Sequence, residues 1–178
     1  MRALVVFESM FGNTQVVAEA IAVGLADRMD VDLREVGVAP TTIGGDIALL
    51  VVGGPTHAFG MSRPATRRSA ADQAEQGVVS AGIGVREWLA GLAPGSPSVA
   101  AAAFDTRVRR PRLPGSAAHA VRRRLRRLGF ATPAGAASFY VDGTPGPLLS
   151  GEVERARTWG ERLGSRVAPP VPSSEAGA

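Results

Sequence analysis

The chain has 178 residues, 45% hydrophobic and 20% charged, values that suit one soluble domain with a sizeable core. It contains no cysteine and no lysine, so all 20 basic residues are arginine. Those two zeros exclude disulfides, thiol catalysis, cysteine-held zinc and iron–sulfur clusters, a Walker-type phosphate loop and Schiff-base chemistry.

The formal charge of +4 conceals a segregation. Arg107, Arg109, Arg110, Arg112, Arg122, Arg123, Arg124, Arg126 and Arg127 fall in one acid-free stretch, and without these nine the chain has a net charge of −5. The apolar start Met1–Phe7 is interrupted by Glu8 and is too short for a signal-peptide core. No apolar run reaches the roughly 18 residues of a membrane span. The expectation is a cytoplasmic protein.

In chain order, Ala3–Phe7 is a continuous apolar run, read as a strand buried on both faces. Asn13–Met29 carries Val17, Ala20, Ile21, Gly24 and Leu25 at helical spacing. Val31–Val36 alternates, which predicts a half-exposed edge strand. Ile47–Val52 is a second apolar strand, ending in Gly53-Gly54-Pro55. Arg63–Gly82 is polar and Ala-rich, with a short helix predicted from Pro64 and a helix over Val85–Leu92 after it. Ser98–Phe104 reads as a strand and Gly115–Leu128 as a helix with the stripe Ala118, Val121, Leu125 and Leu128. Ala136–Val141 is the last strand and Gly151–Val167 the last helix. Residues 1–167 form one predicted domain; residues 168–178, rich in Pro, Ser, Gly and Ala, are read as a disordered tail.

Strands alternating with helices predict an α/β domain: a doubly wound, five-stranded parallel sheet in the order 2-1-3-4-5, with helices on both faces. Ligands of such sheets bind beyond the carboxyl ends of the strands, where neighbouring connections diverge. The first strand runs into Glu8-Ser9-Met10-Phe11-Gly12-Asn13-Thr14 and then directly into a helix. A hydroxyl-rich turn at a helix start offers N–H and O–H donors to a phosphate without needing a cation. Each such bond to a charged phosphate contributes roughly 1.5–3 kcal/mol, and the helix dipole about 0.3–1 more.

The pattern Val5-Val6-Phe7-x-Ser9-x-x-Gly12-x-Thr14-x-x-x-Ala18-x-x-Ile21 resembles the signature of the flavodoxin family, the FMN-binding electron carriers, and the total length is similar to their short-chain form. The resemblance implies that Ser9, Met10, Phe11, Gly12, Asn13 and Thr14 hold the FMN phosphate. It further implies that Pro55, Thr56, His57, Ala58, Phe59 and Gly60 line one side of the flavin ring, and Phe104, Asp105, Thr106 and Arg107 the other. Phe59 is either a ring contact or a packing residue, and His57 a flavin neighbour or a backbone-bonded loop histidine. Arg107 is either a partner for charge on the reduced pyrimidine or a solvated loop charge. In family members the last loop usually offers a stacking aromatic, and no aromatic follows Phe104 until Phe130.

Three functions stay open: an FMN-binding carrier in electron transfer, an FMN-dependent oxidoreductase taking NAD(P)H and quinone, to whose wording Pro-Thr-x-x-Phe-Gly is also similar, and a nonredox binding or regulatory module. The block Arg109–Arg127 is read as a solvated helix face, as a docking site for an acidic redox partner, or as a trap for NAD(P)H phosphates. With little aromatic interleaving, nucleic acid is not expected as a partner, nor is a membrane. Residues 61–82 exceed the usual connection length and are expected to form a mobile flap over the flavin.

Overall fold

The computed structural model describes residues 1–74, 76–110 and 114–168. The expected tail beyond Ala168 and Arg112 of the arginine block lie outside them. Five parallel strands, β1 (Arg2–Phe7), β2 (Asp30–Glu35), β3 (Ile47–His57), β5 (Ala100–Val108) and β6 (Ala136–Val141), lie side by side in the order β2-β1-β3-β5-β6. A sixth strand, β4 (Gly60–Met61), folds back antiparallel on the end of β3. The predicted order of the parallel strands therefore holds, with a hairpin arm that the sequence reading did not include.

The period of 2 along each strand divides the core into two layers. Leu4, Val6, Leu50, Val52, Ala101 and Ala103 face one side, with Trp88 and Leu89 of α3 (Val85–Gly91) and Val121 and Leu125 of α4 (Ala117–Arg127). Ala3, Val5, Leu49, Val51, Ala102 and Phe104 face the other, with Val17 and Ile21 of α1 (Asn13–Ala26) and Leu163 of α5 (Glu152–Val167). Being covered on both faces is why Ala3–Phe7 of β1 and Ile47–Val52 of β3 are entirely apolar. At the edge, β2 pairs only with β1 among the described residues and leaves Val31 and Leu33 half-buried; of the two residues expected on its outer face Arg34 is exposed, while Asp32 is as half-buried as its neighbours.

On the α1–α5 side two glycines let the helix backbones touch. A Cβ at Gly24 would stand 2.1 Å from the Arg157 carbonyl oxygen, and one at Gly160 would stand 2.4 Å from that of Ile21. Helix α2 (Pro64–Gln73) starts at the predicted proline. Two strands run further than their apolar segments. β3 continues through Gly53-Gly54-Pro55 because β5 pairs with it as far as Pro55 and β4 pairs with Thr56 and His57. β5 continues to Val108 because β6 carries its ladder that far. Backbone groups of polar residues are satisfied there by neighbours distant in sequence, which apolar patterning does not register. Among the described residues no helix is long and apolar enough to cross a membrane.

Candidate functional site: a phosphate-type turn opening on a cleft

Ser9 organises the turn that joins β1 to α1. Its Oγ accepts the N–H groups of Gly12 (3.1 Å) and Gln15 (3.3 Å), so one hydroxyl closes the turn and caps the helix from outside. Gly12, the residue before the helix, has φ 88°, a left-handed conformation that a side chain would strain. A brace from residues 79–80 secures the same turn: Val79 N–H donates to the Met10 carbonyl (3.0 Å), Ser80 N–H to the Ser9 carbonyl (2.8 Å), and Ser9 N–H to Ser80 Oγ (3.0 Å). Asn13 Nδ2 donates to the Pro145 carbonyl at 3.0 Å. The N–H groups of Phe11, Asn13 and Thr14 meet no acceptor among the described residues. At the start of a helix such donors favour an anion.

The turn opens on a cleft of about 330 Å³ at the carboxyl edge of the sheet, where the connections of β1 and β3 depart in opposite directions. That volume is in the range usual for small-molecule sites. The turn contributes Ser9, Met10, Phe11, Asn13 and Thr14 to the walls, and the β3–β4 hairpin contributes Pro55 to Phe59. Thr106 and Arg107 close it from β5. Thr14 Oγ1 and Thr106 Oγ1, both buried, are hydrogen-bonded at 2.7 Å across the cleft floor.

The hairpin turn is strained. Ala58 and Phe59 have φ of 39° and 78°, as a two-residue β-turn requires, but neither is a glycine. Phe59 lines the cleft while 57% exposed. Gly115, itself at φ 84°, lies so close beneath that a Cβ there would stand 1.9 Å from the Phe59 carbonyl oxygen. Burial, and then the positive charge of Arg67, lowers the pKa of His57, so the imidazole in the cleft wall is neutral at pH 7.

Asp105 lies under the hairpin rather than in the cleft. Its Oδ2 accepts from Thr56 Oγ1 (2.9 Å), Ser116 Oγ (2.5 Å) and Ala118 N–H (3.0 Å), and Thr56 Oγ1 accepts from Ala117 N–H (2.9 Å). This buried carboxylate ties the end of β3 to the start of α4. A second buried carboxyl, Glu8, accepts from Val85 N–H at 2.8 Å and is hydrogen-bonded to Ser62. Arg67 links that pair onward, donating to Ser62 Oγ (2.9 Å) and pairing with Glu87 (3.0 Å). Burial pushes the Glu8 pKa up; the Ser62 and Val85 bonds and the nearby Arg67 pull the other way. The expected flap thus forms α2, one wall of the cleft, and is anchored at both ends: at Ser62 and Arg67, and through residues 79–80 on the turn.

No protein-family model matches the sequence, and no curated protein matches it significantly. Solved structures do match. A flavodoxin from the domain Archaea superposes over 94% of this chain and 99% of its own, with a TM-score of 0.60 at 20% identity. Flavodoxin 1 from Bacillus cereus superposes over 94% and 100%, with a TM-score of 0.66 at 16% identity. The chain has the flavodoxin-like fold. The same fold covers 36% of the rubredoxin oxygen:oxidoreductase from Desulfovibrio gigas, with a TM-score of 0.60 at 18% identity.

Within this flavodoxin-like fold, four of the residues expected at the site do not line the cleft. Phe104 is fully buried in the core, its ring edge-on to Phe139 and Trp159 and seated over Gly53, where a Cβ would come within 2.2 Å of it. Strand alternation explains this. Phe104 and Thr106 share the α1 face, and Phe104 lies one step deeper in the sheet. The expectation of a Phe104 ring contact is therefore corrected. Asp105 points to the opposite face, and Gly12 and Gly60 shape the backbone of the turn and the hairpin without forming wall. Sequence reading missed the α2 wall of Thr66, Ser69, Ala70 and Gln73. Its signal was available as polar or small residues at 66, 69, 70 and 73, one stripe of a helix.

The arginine block is also divided by the fold. Arg107 lines the cleft and donates to the Gly115 carbonyl at 2.7 Å. Helix α4 begins beside Asp105 and ends where Gly95 N–H meets the Leu128 carbonyl, near the start of β5. Its exposed Arg123, Arg126 and Arg127 therefore descend towards the opposite edge of the sheet, over a helix of about 16 Å.

Proposed function

We propose that this protein binds FMN noncovalently in the cleft and serves in electron transfer. One observation carries the reading: a helix-start turn whose spare N–H and O–H donors face a small-molecule cleft at the switch point of a flavodoxin-like sheet. The donor set fits a phosphate monoester, which only accepts hydrogen bonds. Ser9 Oγ already accepts two N–H groups and has its own proton to donate, while Phe11 and Asn13 offer N–H. When bound, FMN supplies an isoalloxazine that takes up and releases electrons singly or in pairs. The chain's residues hold and screen it. Phe11, His57 and Phe59 provide unsaturated surface at the cleft, neutral His57 adds no charge, and Arg107 favours negative charge beside it. Arg109 and Arg110, exposed at the same end of β5, are the arginines placed to dock an acidic redox partner.

The test is uptake of FMN by the purified protein, read as a yellow complex with quenched flavin fluorescence. Colourless protein that takes up no added FMN would instead support a nonredox module.

The enzyme reading has its own support. A second, open groove of about 650 Å³ shares Met10, Phe11 and Gln73 with the cleft, leaving space for a second substrate such as NAD(P)H or a quinone. Bleaching of the bound flavin by NAD(P)H without an added reductase would select it over the carrier.

A further inference from the structure

The hydroxyl pair on the cleft floor contains two hydrogens and one hydrogen bond. Thr14 and Thr106 are 2% and 5% exposed, and their oxygens lie 2.7 Å apart, so one hydrogen lies between them and the other is left over. With no anion present the two directions of donation are alternatives. A phosphate only accepts, so its arrival selects one of them. We propose that Thr106 is a positioning residue for phosphate recognition: it donates to Thr14 Oγ1 and thereby commits the Thr14 proton to the ligand. This rests on the FMN reading and deepens it.

Thr106 is well placed for this because its backbone cannot drift. β3 and β6 pair with it from both sides, opposite Pro55 and Phe139, and Phe104 is packed beneath it on the same face. Thr14 is as firmly set, in the first turn of α1 between the Ser9-capped turn and the core. The neighbouring cleft hydroxyl of Thr56 cannot substitute for either, since it donates to Asp105 and accepts from Ala117. A donor held by a second donor needs only its hydroxyl hydrogens to reorient when the anion binds, with the heavy atoms already in place, which is the advantage of preorganisation.

Dissociation constants of FMN and of riboflavin, which lacks the phosphate, are measured for the wild type, Thr106→Val, Thr106→Ser, Thr14→Val and the double variant Thr14→Val/Thr106→Val. The expected result is that Thr106→Val, nearly isosteric and at home in a strand, weakens FMN about five-fold more than it weakens riboflavin. Thr106→Ser restores FMN binding, and Thr106→Val adds nothing once Thr14 is Val. An FMN-to-riboflavin ratio unchanged by Thr106→Val overturns the proposal, whether both ligands weaken or neither does. Wild-type protein with no preference for FMN over riboflavin overturns the phosphate reading itself, and this proposal with it.

Discussion

The turn after β1 and the ends of β3 and β5 face each other across one cleft and use their polar groups in opposite ways. Around Asp105 the donors nearest the carboxylate are spent internally: Thr56, Ser116 and the N–H of Ala118 converge on one buried oxygen. In the turn, Ser9 satisfies two N–H groups while those of Phe11, Asn13 and Thr14 meet no acceptor among the described residues. A polar cluster whose donors are spent internally is scaffold, even with Asp105 Oδ1 buried and without a partner among the described residues, whereas one with donors to spare is the candidate binding site; composition alone does not distinguish the two.

Four changes would break or sharpen that contrast. Asp105→Ala removes the shared acceptor of three donors and should lower stability by about 3 kcal/mol, read from urea unfolding; a loss under about 1 kcal/mol would show that the network does not join β3 to α4. Thr14→Ala should act chiefly on the ligand, weakening FMN by roughly 30-fold, a loss of about 2 kcal/mol, and an unchanged affinity would remove the turn from phosphate binding. Ala58→Gly relieves a left-handed residue in the hairpin and should raise stability by about 1 kcal/mol in the same urea assay. If the variant is less stable, the turn is not strained as described.

The smallest expected effect concerns pH. Glu8 has its pKa raised on folding, so the folded state binds that proton more tightly, and its contribution falls as pH rises from about 4.5 through the folded value. His57 is lowered, so its contribution falls in the other direction, as pH drops below about 6.5. Glu8→Gln should flatten the first trend in stability-against-pH curves and leave the second. Equal curves for variant and wild type would place the linkage elsewhere.

The architecture was largely legible in the sequence. Runs such as Ala3–Phe7 and Ile47–Val52 identify strands covered on both faces, and the alternation at Val31–Leu33 identifies the edge. The phosphate-type turn was legible for a different reason: its donors and its glycine are contiguous, so local spacing is nearly the whole site. The rest of the cleft is assembled from distant segments. Phe104 was expected at the ring and is in the core because β5 continues beyond it, supported by partners at Pro55 and Phe139. The α2 wall follows a stretch without apolar patterning, and only its anchoring through Ser62 and Arg67 places it at the cleft.

The distribution of charge marks the same boundary. Sequence alone determined that nine arginines are concentrated in one acid-free stretch and that the remainder is acidic. It also marked the strands, the edge strand and the donor-rich turn, because hydrophobic period and local spacing are properties of neighbouring residues. Only the tertiary structure decided that Arg107 lines the cleft while Arg123, Arg126 and Arg127 descend the far end of α4. It alone decided that Asp105 is scaffold and that Thr106 meets Thr14. Those outcomes depend on which strands pair, how far each ladder runs and which face each residue takes, and such long-range pairings are settled only when the whole sheet forms.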